Sequence, residues 1–187
     1  MKVEELARLV IDACMAESVD YMMTGAFAVS YYGIPRSTKD VDFVINLMPP
    51  DALERLVRKL VPAMEFESQI RFDTLTWGRR HIGKPKAETG LKVELFELFE
   101  DPFVKEQFSR KIQVFSGQLG CETWLPTVED LLVQKLRWGR PKDLEDVKDV
   151  LAVQGTESLD MEYIQNWCGI HATTGRLLEA LDAIPPM

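Results

Sequence analysis

Residues 21–46 read YMMTGAFAVSYYGIPRSTKDVDFVIN. The apolar run Tyr21–Thr24 predicts a short strand ending at Gly25, and 26–32 predicts a helix stopped by Gly33 and Pro35. A second strand is predicted over 39–47, where Asp40 and Asp42 alternate with Val41, Phe43 and then Val44 and Ile45. Strand side chains alternate between faces, so acids at i and i+2 point to one side. Two carboxylates held that close repel each other unless a cation or a proton lies between them. Magnesium suits such a pair, because it is bound by one or two carboxylates together with substrate phosphates. Gly25, in the turn, lets a ligand approach the backbone, and the helix start after it offers unpaired N–H groups to an anion.

Outward from this stretch, Val3, Leu6, Ala7, Val10 and Cys14 follow helical spacing over 2–17. After Pro49-Pro50 the stripe Leu53, Leu56, Val57, Leu60 and Val61 matches the i, i+3, i+4, i+7, i+8 template of an amphipathic helix. Strands are predicted over 66–72, 91–96, 112–115 and 123–125, and a short helix over 102–110. The segment 73–90 resists assignment, because Gly78, Gly83 and Pro85 break any long element. From Pro126 the pattern is helical throughout. Thr127 stands as N-cap with Asp130 in the capping-box position, and helices follow over 128–138, over 142–154, and two or three more times. The layout predicts an α+β chain: a catalytic-type domain over 1–125 and a helical C-terminal module over 126–187.

Composition narrows the function. The 187 residues are 46% hydrophobic, enough for one good core or two small ones, and hold no apolar run of about 18 residues that would span a membrane. Cys14, Cys121 and Cys168 are widely spaced and odd in number, which argues for reduced thiols in a cytoplasmic protein rather than a disulfide framework. A net charge of −8 argues against general nucleic-acid binding. A local basic run of Arg79, Arg80, His81, Lys84, Lys86 and Lys92 reads equally well as a solvated loop or as part of a site.

Taken together, Gly25-Ala26, Arg36-Ser37-Thr38, Asp40-Val41-Asp42 and Glu94 within Val93-Glu94-Leu95-Phe96 resemble the nucleotidyltransferase superfamily related to DNA polymerase beta. Glu129-Asp130-Leu131-Leu132-Val133-Gln134-Lys135, with Arg140, Lys142, Asp143 and Asp146, is similar to the helical region of bacterial minimal and toxin-type members. Ala26 departs from the family's second Gly or Ser, and Glu94 stands where Asp is commoner. Glu97 competes for the third-acid role, but its odd spacing from Glu94 sends it to the opposite face.

The resemblance implies a mixed sheet flanked by helices. It implies Asp40, Asp42 and Glu94 as catalytic residues and ligands of two magnesium ions, and Thr24, Gly25, Ala26, Arg36 and Lys135 as nucleotide contacts. The implied reaction transfers a nucleoside monophosphate from an NTP such as ATP to a hydroxyl acceptor, with Glu94 taking the proton. The acceptor is a small molecule such as an aminoglycoside, a tRNA end, or a protein; acidity leans towards a cationic small molecule. A second reading is a nucleotide-binding or regulatory protein on the same fold that transfers nothing, within a toxin–antitoxin pair. Tyr31, Tyr32, Trp77 and Trp138 read as base-stacking platforms or as packing, and the same acids read as an exposed strand face if no ligand is bound.

Overall fold

The computed structural model describes residues 1–73, 78–87 and 90–184. A six-stranded mixed sheet is its centre. Strands β1 (Tyr21–Thr24), β2 (Asp40–Ile45), β3 (Met64–Phe66), β4 (Arg71–Phe72), β5 (Arg79–Pro85) and β6 (Lys92–Glu97) are arranged β1-β2-β6-β5-β3, with β4 also on β5. Among the described residues β2 and β6 pair in parallel and the other ladders of the sheet are antiparallel. The sheet is mixed, as expected.

Helix α1 (Val3–Ala16) buries Leu6, Ala7, Val10, Ile11 and Cys14 along one face. Helix α2 (Gly25–Tyr32) is short and nearly all buried, so it is a core element rather than an amphipathic one. Helix α3 (Ala52–Leu60) buries Ala52, Leu56 and Leu60. The expected stripe ran one residue too far: Val61 lies beyond the helix and is exposed. Helix α4 (Pro102–Ser109) starts where it does because Asp101 accepts a hydrogen bond from the Val104 N–H and Pro102 supplies a preset φ with no N–H to satisfy. Strands β7 (Ile112–Ser116) and β8 (Cys121–Leu125) form a separate hairpin, joined to β1 by the Tyr21–Thr123 hydroxyl contact.

The helical part comprises α5 (Val128–Trp138), α6 (Pro141–Gln154), α7 (Met161–Ile170) and α8 (Thr174–Asp182), with a 3-10 turn over Thr156–Ser158. Thr127 caps α5 as predicted, accepting from the Asp130 N–H, and Gly139 ends it in the left-handed region. One apolar cluster runs from Leu6 through Phe43 and Leu95 to Leu136, Ile164 and Leu177, so sheet and C-terminal helices share a core. None of the described helices is long and apolar enough to cross a membrane.

Two expectations need correction. The strand expected over 66–72 is two short strands, β3 and β4, which both pair with β5. The unassigned segment 73–90 contains β5, an interior strand. Its sequence, RRHIGKP, is polar for an interior strand because its basic side chains pair with acids of neighbouring segments, while Arg79 and Lys84 also remain exposed. Arg79 and His81 meet Glu97, Arg80 meets Glu94 and Lys84 meets Glu67. Gly83 is required there for space: a Cβ would come within 2.8 Å of the Phe66 ring. The basic run is thus largely a strand with partners, not a solvated loop.

Candidate active site

The parallel β2–β6 ladder builds the site. Its register places Asp40 beside Lys92 and Asp42 beside Glu94, while the antiparallel β1–β2 ladder places Thr24 beside Asp42. Asp40, Asp42, Lys92 and Glu94 therefore project from one sheet face, as the alternation of strand side chains requires. Gly25, with φ +65°, turns the chain from β1 into α2 directly over this face. A Cβ at Gly25 would lie 2.8 Å from the Asp42 carboxyl carbon and closer still to its oxygen, so the glycine is fixed by both backbone and space.

These residues line a cavity of about 260 Å³ with Ala26, Arg36, Lys135 and Arg140 on its other walls. Asp42 is half-buried within it. Burial, and then repulsion from Glu94 and Asp40, pushes its carboxyl up to about 6, against the opposing pull of Lys135 and Lys92. Glu94 is held by two cations: Arg80 donates to Oε2 at 2.7 Å and Lys92 to Oε1 at 2.6 Å. Lys92 also lies 3.6 Å from Asp40. Thr38 accepts from the Asp40 N–H at 3.1 Å and so ties the incoming loop to the start of β2.

Behind the cavity lies a buried charge network. Asp146 accepts two hydrogen bonds from Arg36 (2.7 and 3.0 Å) and one from Lys135 (2.7 Å). Asp143 accepts from Lys135 (3.0 Å) and twice from Arg140 (2.5 and 3.2 Å). Burial works to raise both carboxyls, but hydrogen bonds from these cations outweigh it and hold both below the usual range. Two acids thus fix three cations on the cavity wall.

The structure brings Asp40, Asp42, Glu94, Gly25, Ala26, Arg36 and Lys135 around the one cavity. Thr24 is placed differently: it is buried and lines a smaller adjoining cavity. Lys135 is itself buried rather than solvated, and its ammonium is already shared by Asp143 and Asp146. Arg80 and Lys92, which the sequence placed in a basic run open to either reading, both line the cavity. The signal for Arg80 was the alternation on β5, which sets it opposite Phe96, two residues from Glu94. Asp143 and Asp146 stood in the sequence only as part of the helical motif. Asp143 pairs with Arg140 three residues away, and both acids also reach across to Lys135. Tyr32 is packed, its hydroxyl donating to the Pro126 carbonyl at 2.8 Å, while Trp77 lies outside the described residues.

No group of three acids, histidines or cysteines among the described residues is arranged as a ready metal-ligand set. The reason is visible: both oxygens of Glu94 are engaged by Arg80 and Lys92. The donor chemistry still fits a hard divalent ion, since Asp40 and Asp42 share a face and Asp42 is left with more carboxylate neighbours than its cations offset.

No protein-family model and no curated protein matches the chain. Solved structures do. ANT(2'')-Ia in complex with adenylyl-2''-tobramycin is similar with a TM-score of 0.62 at 10% identity, covering 94% of this chain and 99% of that one. An antigenic nucleotidyltransferase-like protein from Paracoccidioides brasiliensis is similar at 0.57 and 21% identity, over 99% and 92% of the two chains. The lincosamide antibiotic adenylyltransferase LnuA, lincomycin-bound, is similar at 0.54 and 12% identity, over 82% and 98%. The fold is that of the nucleotidyltransferases.

Proposed function

We propose that the chain transfers a nucleoside monophosphate from an NTP to the hydroxyl of a small molecule. The observation that carries this reading is the register of Asp42 against Glu94 beneath Gly25, with Arg36, Lys135 and Arg140 across the cavity. Acids interleaved with Lys92 and Arg80 on the sheet wall, and further cations across from them, suit a polyphosphate whose reacting phosphorus lies between the two walls.

In this reading the start of α2 and the three cations receive the β and γ phosphates. Asp40 and Asp42 would hold divalent ions, and Glu94 would join them where Arg80 or Lys92 yields an oxygen. When bound, these supply charge neutralisation at the phosphates and lower the pKa of the attacking hydroxyl. The acceptor oxygen forms a bond to the α phosphorus, the bond from that phosphorus to the bridging oxygen breaks, and pyrophosphate leaves. The acceptor's proton passes to Glu94, which Arg80 and Lys92 hold in place. Asp143 and Asp146 do not touch the substrate; they position the cations that do.

A small-molecule acceptor is supported by the net charge of −8, unfavourable for an RNA track, and by the antibiotics named with two of the similar structures. The test is incubation with each α-labelled NTP and magnesium, with aminoglycosides, lincosamides, tRNA and total protein offered as separate acceptor pools. Label on a small molecule, released pyrophosphate, and loss of both in Asp42→Asn are expected. Pyrophosphate release that persists in Asp42→Asn, or none from any pool, would overturn the reading.

A further inference from the structure

Lys92 stands inside the acid group rather than beside it. The parallel ladder makes it the direct partner of Asp40, and Glu94 follows two residues on along β6, so all three side chains leave the same sheet face. The Lys92 N–H donates to the Lys39 carbonyl at 3.0 Å, which ties the start of β6 to the residue before Asp40. Rooted there, the four-carbon stem of a lysine delivers its ammonium among these carboxylates. It donates to Glu94 Oε1 at 2.6 Å and lies 3.6 Å from Asp40 Oδ2.

Glu94 is only 6% exposed and has a second cation as well. Arg80 holds its other oxygen at 2.7 Å and sets its guanidinium over the Phe96 ring. Of the three acids, Asp42 is the one that forms no ion pair among the described residues. Resident positive charge is thus unevenly shared: two cations meet Glu94, one of them also faces Asp40, and Asp42 is left for a ligand.

Two-ion sites clamp both the attacking and the leaving oxygen of a displacement. An ion bridging Asp40 and Glu94 would need an oxygen of each at about 2.1 Å. The Lys92 ammonium lies between those same two carboxylates, and a dication a few ångströms from a fixed ammonium is strongly repelled. We infer that Lys92 takes the place of one ion of a two-ion site, so that this chain binds its nucleotide with a single divalent ion, held by Asp42 and Asp40. The inference rests on the nucleotide reading above and adds how many ions that site takes. An ammonium neutralises the acids but has no acceptor and cannot coordinate an oxygen as a metal does. Lys92 is therefore a positioning residue: with Arg80 it keeps Glu94 in place by hydrogen bonds rather than through a metal.

The test is equilibrium dialysis of the folded chain against manganese and the non-transferable α,β-methylene analogues of ATP, GTP, CTP and UTP. Manganese per bound nucleotide is counted by electron paramagnetic resonance. Wild type and Lys92→Arg are expected to hold one ion per nucleotide, and Lys92→Met two. Two ions per nucleotide in wild type, or one in folded Lys92→Met, would overturn the inference and leave the nucleotide reading standing. The wild-type count decides by itself should Lys92→Met fail to fold. Wild type that binds none of the analogues would bring down the nucleotide reading itself.

Discussion

Asp42 and Glu94 are direct partners in the parallel β2–β6 ladder, and burial, then the Glu94 and Asp40 carboxylates, push the Asp42 carboxyl up to about 6. Glu94 has Arg80 and Lys92 within hydrogen-bonding distance, whereas burial and two neighbouring carboxylates act on Asp42. The site is therefore built at a cost in stability, a common bargain where reactive groups converge.

That cost has a sign. Asp42 in the folded chain keeps its proton up to about 6, higher than an ordinary carboxyl, so the native state binds more protons than the unfolded one between roughly pH 4 and 6. Its contribution to stability is most favourable at the acid end of that window and is lost as pH rises through about 6. Asp42→Asn removes the penalty and should be more stable than wild type at pH 7 by about 2–3 kcal/mol, with the gap closing towards pH 4. Thermal melts of both proteins at pH 4.5, 6 and 7.5 without divalent ions would show it; parallel curves would disprove it.

Lys135 stands between Asp143 and Asp146 in the buried network. Lys135→Met leaves two buried carboxylates short of a partner and is expected to destabilise by about 3–5 kcal/mol. Urea denaturation followed by tryptophan fluorescence measures this, and a loss below about 1 kcal/mol would mean that Arg36 and Arg140 suffice alone.

Gly25→Ala strikes backbone and site together. The residue must hold a φ of +65° while its new Cβ meets the Asp42 carboxyl. A left-handed non-glycine residue costs about 1–2 kcal/mol, and moving Asp42 by even about 1 Å should reduce transfer at least about a hundredfold. Single-turnover kinetics on folded protein separate the two effects.

Lys92 is the resident cation between Asp40 and Glu94. Lys92→Met leaves the acids facing one another and should tighten divalent binding by roughly tenfold, as expected when a like-charged competitor is removed from a few ångströms away. Manganese titration followed by electron paramagnetic resonance reads this directly. Unchanged affinity would show that Lys92 and the ion occupy separate places.

Much of the architecture was legible because local rules and tertiary structure agree. The Asp-x-Asp alternation, the Thr127 cap and the proline and glycine stops each act within a few residues. The strand β5 was not legible. Its polarity is compensated by Glu67, Glu94 and Glu97 from other segments, and no window along one segment contains both partners. The same applies to the site. The acids could be found from spacing, but the ties from Arg36 and Lys135 to Asp146 join residues 110 and 11 positions apart and depend on how α5 and α6 pack.

The cavity's opposed walls also act at a distance. Asp40 and Asp42 on the sheet, partly offset by Lys92, face Arg36, Lys135 and Arg140, partly offset by Asp143 and Asp146, so the field the space carries is what remains after this pairing. A bipolar guest entering it experiences a torque before it makes contact, its anionic end swung to the helices and its cationic end to the sheet. Physiological salt screens over about 8 Å, so this alignment operates only at the mouth and inside. The cleft sorts orientations on arrival, and ionic strength should weigh more on productive capture than on how long a guest stays.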